Sequence, residues 1–360
     1  MLFIILFKRM KSKNEFKTEL DDITYQNEIL QHVSRTFALT IPQLPESLSE
    51  VVGNAYLLCR IADTIEDDKL MTAVLKREYA ERFIDVVKGS DSAETFSKEL
   101  FPLLSPTASE AEHDLIANTT PVIRLTHSFN ERQRAALEKC VSIMAEGMVR
   151  YQDAETLDGM IDLEDMGQYC YYVAGVVGEM LTELFCDYSP EIDSQREEMM
   201  KLGVSFGQGL QMTNILKDIW EDHERGVCWL PRDIFNKHGV DVRHKVIGEN
   251  EAGFDEALIE LLGVAHAHIR NALIYTQKIP AKEKGLRRFC LWALGMAVLT
   301  LEKIRQKPNF TTGQEVKISR FNVKSTIFFT NLFVGNNWAL RKLFQFSGRR
   351  LPIADIHEKI

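Results

Sequence analysis

Apolar positions recur at helical spacing along most of this chain, and strand-type alternation is scarce. An all-α protein is therefore expected. Asn27 to Ala38 reads as a helix that runs into SRTFALTIPQLP, where Pro42 and Pro45 force a break. Pro45 to Asp67 reads as a second long helix, with Val51, Val52, Ala55, Leu58 and Ala62 on one face. Two or three shorter amphipathic helices fit between Leu70 and Pro121, a stretch without evident chemistry. Asn130 to Leu157 makes another helix; Met144, Gly147, Met148 and Tyr151 on one side suit either plain core or the wall of an apolar cavity. Leu163 to Tyr188 follows, then a helix within Gly207 to Asp233, a loop closed by Trp229 and Pro231, and a new helix near Phe235. Phe254 to Tyr275 is amphipathic, and its His266 and His268 lie two apart on different faces, which does not make a metal pair. Phe289 to Leu301 is too short to span a bilayer and reads as a buried core helix behind a basic turn, Lys282 to Arg288. No linker or internal repeat divides the chain, so one domain over residues 26–345 is expected between tails 1–25 and 346–360.

Composition narrows the class. The 360 residues are 45% hydrophobic and 26% charged, as in a globular protein with a substantial core. A net charge of −9 and the lack of a basic stripe interleaved with aromatics exclude a nucleic-acid binder. The six cysteines are scattered without a CxxC pair, which fits a reducing compartment and gives no metal or disulfide signal. The start, MLFIILFKRMKSK, is too short to span a bilayer and lacks the order of a secretory signal; it reads as a tail or as a contact with a membrane surface. The C-terminal stretch mixes lysine and arginine with Ile327, Phe328, Phe329 and Phe333, a pattern shared by peripheral membrane contacts and closing core helices. A cytoplasmic protein, or one peripheral to the inner membrane face, is expected.

The chemistry concentrates in two acidic ladders. Asn214, Asp218 and Asp222 sit four apart in an apolar helical context, and helical residues four apart lie one above the other, about 6 Å up the axis. Asp63 and Asp67 repeat that spacing, with Glu66 beside them. Either set alone reads as a solvated helix face. Two matched ladders facing each other across a bundle instead make an acidic-walled site, since Mg²⁺ takes one or two carboxylates and completes its shell with substrate phosphates. Arg60 lies one turn before Asp63, placed to neutralise a phosphate oxygen or to form a surface ion pair. Ser34 and Arg35 offer donors for a diphosphate, or simply end a helix. In DMGQYCYYVAGVVGEMLTELF, the small face of Ala174, Gly175 and Gly178 suits close helix packing or room for a prenyl tail beside the hydroxyls of Tyr169, Tyr171 and Tyr172. A phenol near a developing carbocation takes or steers a proton.

Taken together, SRTFALTIPQLP, YLLCRIADTIEDD, YCYYVAGVVGE and QMTNILKDIWEDHERGVCWLPRD, in this order and spacing, closely resemble the squalene/phytoene synthases over roughly residues 26 to 320. The resemblance implies the all-α isoprenoid synthase bundle around a central cavity, and head-to-head joining of two prenyl diphosphates through a cyclopropyl intermediate. It implies Mg²⁺ on Asp63 and Asp67 on one side and on Asn214, Asp218 and Asp222 on the other. Ser34, Arg35, Arg60, Gln211, Asn214 and Lys217 would contact diphosphate or metal. Tyr169 would do acid/base or cation-stabilising work, and Tyr275 would line the reduction end of the cavity. DTIEDD and YYVAGVVG resemble squalene synthases more than the DExVD form of phytoene synthases, which implies farnesyl diphosphate as substrate. VKISR, Val316 to Arg320, resembles a basic segment linked to NADPH, so Lys317 and Arg320 are its expected contacts, although no GxGxxG loop is present. The eukaryotic membrane anchor is missing, which suggests a bacterial type. The alternatives are a dehydrosqualene- or phytoene-type synthase that couples without reduction, and a non-catalytic relative that keeps the bundle alone.

Overall fold

The structure, a computed structural model, describes residues 13–34, 36–152, 156–244 and 252–356. Among them there are helices and no strand; one isolated bridge joins Met160 to Pro231. Arg35 lies outside the described residues.

Side-chain caps start seven of these helices. Thr72, Ser92, Asp162, Ser319 and Asn336 accept a backbone N–H of the following first turn, and Ser109–Glu112 and Asn130–Gln133 form reciprocal capping boxes. Boundaries shift where packing extends an element. The first helix runs Lys13–Val33, well before Asn27, and its buried Asp22 carboxylate pairs with Arg124. The second spans Glu46–Glu66, the next expected one Glu131–Tyr151. The basic turn and the apolar run fuse into one helix, Lys284–Gln306. Within it Arg287, expected in a basic turn, is fully buried and donates to the carbonyls of Ile279, Gln277 and Val334. Buried carbonyls need such donors.

The central element is the Arg196–Lys217 helix, which packs mainly on Ala252–Lys278 and on Val176–Tyr188. Two apolar clusters flank it, and its Phe206 touches both. The Ala252–Lys278 helix contains a window long and apolar enough to cross a membrane, but 72% of that window is buried inside the fold. The small-residue face is used for close helix packing. A Cβ on Gly178 would lie 2.0 Å from the Gly203 carbonyl oxygen, and one on Gly207 would lie 2.1 Å from that of Ala174. The expectation of prenyl space along that face is therefore corrected: backbone already fills it. Tyr171–Gly175 forms a single π-helical turn at this contact. Gly147 likewise packs on the Tyr172 ring, and Met144 and Met148 are plain core.

The two histidines take different partners, as their spacing requires: His266 meets the Pro352 carbonyl, and His268 meets Ser205 Oγ at 2.8 Å. Asn271 also donates to that Ser205 oxygen, tying the central helix to its neighbour. Burial pulls His268 down from 6.5 to about 4. A neutral histidine in the fold and a protonated one in the unfolded chain mean that stability is lost as pH falls through 6.5 towards 4. By linkage this group costs about 2 kcal/mol at pH 5 relative to pH 7.5. Thermal melts at both pH values should show a smaller acid loss in His268→Gln than in the parent.

Candidate active site

The first ladder sits at the end of its helix. Asp67 caps Glu46–Glu66, and its N–H donates to the Asp63 carbonyl at 2.8 Å, so the i, i+4 stack survives. Asp68 is a different matter. Its buried carboxylate accepts the N–H groups of Leu70, Met71 and Ser105, so it holds the following turn rather than a ligand. Asp63 is pushed up to about 7, first by burial and then by the neighbouring Asp67 charge.

The second ladder does not lie on one unbroken helix. The central helix ends at Lys217, Asp218 is bent, and a new helix runs Ile219–Glu224. The hydrogen bonds Asp218 N–H to Asn214 carbonyl (2.9 Å) and Asp222 N–H to Asp218 carbonyl (2.8 Å) continue through the bend and keep the stacking. Asn214 is exposed, Asp218 half-buried and Asp222 buried. Burial raises Asp222 despite the Arg225 guanidinium bonded to it. Lys217 Nζ lies 2.9 Å from Asp218. Gln211 is half-buried one turn before Asn214.

Tyr169 connects the two ladders. It is 8% exposed and stacks on Trp229, with ring centroids 4.1 Å apart at 10°. Burial holds its phenol well above the usual range, reinforced by Glu66, Asp222 and Asp67. Carboxylates from both ladders thus act on one hydroxyl. The RGVCWLPRD loop makes this possible. Gly226, at φ +84°, turns the chain back after the short helix. Cys228 N–H then donates to the Thr156 carbonyl and Met160 N–H to that of Leu230, which pins Trp229 under the ring. Tyr151, edge-on to Tyr169, donates to Asp165 at 3.0 Å. Tyr169→Phe keeps the Trp229 stack, so melting should be unchanged, while turnover should fall by about 10²–10³ if the hydroxyl moves a proton.

Several participants escaped sequence reading. Arg225 pairs with Asp222, and its charge also interacts with Asp67 and Tyr169 at longer range. Glu112 holds Arg60 at 2.8 Å while completing its own capping box; despite burial, Ser109 and Arg60 keep it below the ordinary carboxylate range. Tyr56 donates to the Val33 carbonyl at 2.9 Å and lies near Ser34, Arg60 and Asp63. The signal for Tyr56 was available, since positions 56, 60, 63 and 67 share one helical face. Ser34 Oγ accepts the Phe37 N–H, so it does end one helix and start the next. Tyr275 stands apart from the acids, buried against Phe206 with its hydroxyl 3.1 Å from Thr182. Lys317 and Arg320 are both exposed. The loop before them reaches the second ladder, where Gly313 N–H donates to Glu221 at 2.7 Å and Trp220 donates to the Phe310 carbonyl at 2.5 Å.

Among the described residues no group of three or more His, Cys, Asp or Glu closes on a single point to hold a metal unaided. The donor set nevertheless fits a hard divalent cation shared with a substrate. It offers oxygen ligands in two short stacks, a carboxylate pair destabilised by its own charge, and buried, unpartnered polar atoms on both sides, Arg60 Nε and Glu221 Oε2.

A helical bundle with paired acidic ladders around a buried tyrosine belongs among prenyl diphosphate enzymes, and comparison with known proteins narrows this. The squalene/phytoene synthase family model matches residues 30–322, and the chain belongs to that family. Squalene synthase of Cyberlindnera jadinii is 28% identical over 89% of this chain and 70% of its own length. Squalene synthase of Schizosaccharomyces pombe is 28% identical over 87% and 66%. The chain thus spans about two thirds of these relatives. Among solved structures, TcSQS with a bound ligand superposes with a TM-score of 0.74 at 23% identity, covering 93% of this chain and 94% of that one. A dehydrosqualene synthase gives 0.64 at 18% identity, covering 89% and 98%.

Proposed function

We propose that the chain is a squalene synthase, joining two molecules of farnesyl diphosphate head to head. The observation that carries this reading is the buried Tyr169, stacked on Trp229, in a helical bundle that keeps the i, i+4 stacks of Asp63 with Asp67 and of Asn214, Asp218 and Asp222; acids of both ladders act electrostatically on its phenol.

Ser34, Arg35, Arg60, Gln211 and Lys217 bind diphosphate oxygens in this reading, and Glu112 and Tyr56 hold Arg60 and Ser34 in place. Mg²⁺ on Asp63 and Asp67, and on Asn214, Asp218 and Asp222, would neutralise the departing diphosphate. Loss of diphosphate from one donor leaves an allylic cation, which the double bond of the other attacks. Tyr169, kept neutral by burial, faces that charge with its phenol oxygen and passes on the proton lost as the cyclopropane closes. Departure of the second diphosphate and delivery of hydride then give squalene. NADPH would supply the hydride, and the exposed Lys317 and Arg320 suit its phosphates. Tyr275 forms part of the apolar wall at the end remote from the acids.

The test is incubation with farnesyl diphosphate and Mg²⁺, with and without NADPH, followed by mass analysis of the extract. Squalene should appear only with NADPH. Dehydrosqualene or phytoene, unchanged by NADPH, would move the chain to the non-reducing branch of the family, and no product would leave the bundle without this chemistry.

A further inference from the structure

The last two helices, Arg320–Phe333 and Asn337–Ser347, bury little of themselves: Thr330 is the buried residue of the first and Leu340 of the second. Phe333 and Phe344 pack on the core, but several large apolar side chains face outwards. Phe321, Phe328, Leu332, Trp338 and Phe346 are each 62–77% exposed, far more than a core helix tolerates. Charge sets this segment apart too. In a chain of net charge −9, residues 321–354 contain five Lys or Arg and no Asp or Glu. All five cations are exposed, and none forms an ion pair with the described residues. Beneath the aromatics lies a cavity of about 270 Å³; Phe321, Phe329 and Phe346 line its mouth, and Leu273, Leu294 and Val298 its floor.

We infer that this face docks on an anionic lipid bilayer, with the cavity admitting an acyl chain from it. Exposed aromatics beside lysine and arginine insert at the headgroup boundary while the cations attract acidic lipids, and both are needed for stable attachment. A protein partner matched by hydrophobicity alone would not account for a cationic, acid-free segment in an acidic chain. The cavity mouth opens within the inserting residues, where a lipid tail has a continuous apolar path.

Sedimentation with vesicles tests this. The full chain should pellet with phosphatidylcholine vesicles containing about 30% phosphatidylglycerol and stay in solution with phosphatidylcholine alone. Binding should fall at least tenfold in Phe328→Ser/Trp338→Ser/Phe346→Ser and in Lys324→Glu/Arg341→Glu/Lys342→Glu, with wild-type melting in both. Should the aromatic triple lose its melting transition, the charge variant tests the same face. A wild type that ignores anionic vesicles, variants that bind like it, or a dimer that the aromatic triple dissociates would each overturn the proposal; the last would assign the face to a second copy.

Discussion

Asp63→Asn and Asp222→Asn should each lower turnover by on the order of 10³ or more while leaving the fold intact, since each removes a charge that would hold the leaving diphosphate through its cation. Their effects on stability should differ, and the difference is diagnostic. Asp63 stands at about 7 in the fold against 3.8 in the unfolded chain. Its folded pKa is raised, so the folded chain binds more protons between those values and loses stability as pH climbs from 3.8 to 7. Replacing it with asparagine removes that cost, so Asp63→Asn should melt higher than the parent at pH 8 without Mg²⁺. Asp222 is raised less and is bonded to Arg225, so Asp222→Asn should melt close to the parent. Melting curves with and without Mg²⁺ and inorganic diphosphate supply the check. Both ligands together should raise the wild-type midpoint and leave Asp63→Asn unmoved. Full turnover in either variant would remove the ladders from the mechanism.

The second large effect is on folding. Gly178→Ala would place a methyl 2.0 Å from the Gly203 carbonyl oxygen, in a contact made by backbone on both sides. No rotamer relieves such a clash, so the helices must separate. Overpacking of this kind costs about 3 kcal/mol, and more where backbone rather than a side chain must yield. The control lies nearby: a Cβ on Gly167 meets nothing within 4 Å, so Gly167→Ala should be neutral or slightly stabilising. Urea unfolding of the two variants beside the parent separates a packing role from a general intolerance of this helix. A Gly178→Ala protein of parental stability would show that the helices slide freely at the π-helical turn.

The sequence by itself determined the helical class and the two acidic ladders. Helical periodicity and four-residue spacing are local properties, and a hydrogen-bonded backbone converts them into geometry without help from distant residues. The Asp218 bend illustrates the point: the helix breaks there, yet the two backbone hydrogen bonds preserve the stack. Everything that depends on long-range contact was decided by the tertiary structure. Asp68 follows the first ladder directly in sequence, and only the arrival of Ser105 shows that it holds a turn. The bare face of Ala174, Gly175 and Gly178 fitted a substrate tail or a neighbouring helix equally well, and Gly203 and Gly207 chose the helix. Glu112 is 52 residues from the arginine it holds, and Trp229 stacks on a tyrosine 60 positions earlier. Burial of Tyr169 against Trp229 and Tyr151 is likewise a property of the closed bundle. Spacing along one chain carries no information about which surfaces meet, so partners across the fold emerge only when packing brings them together.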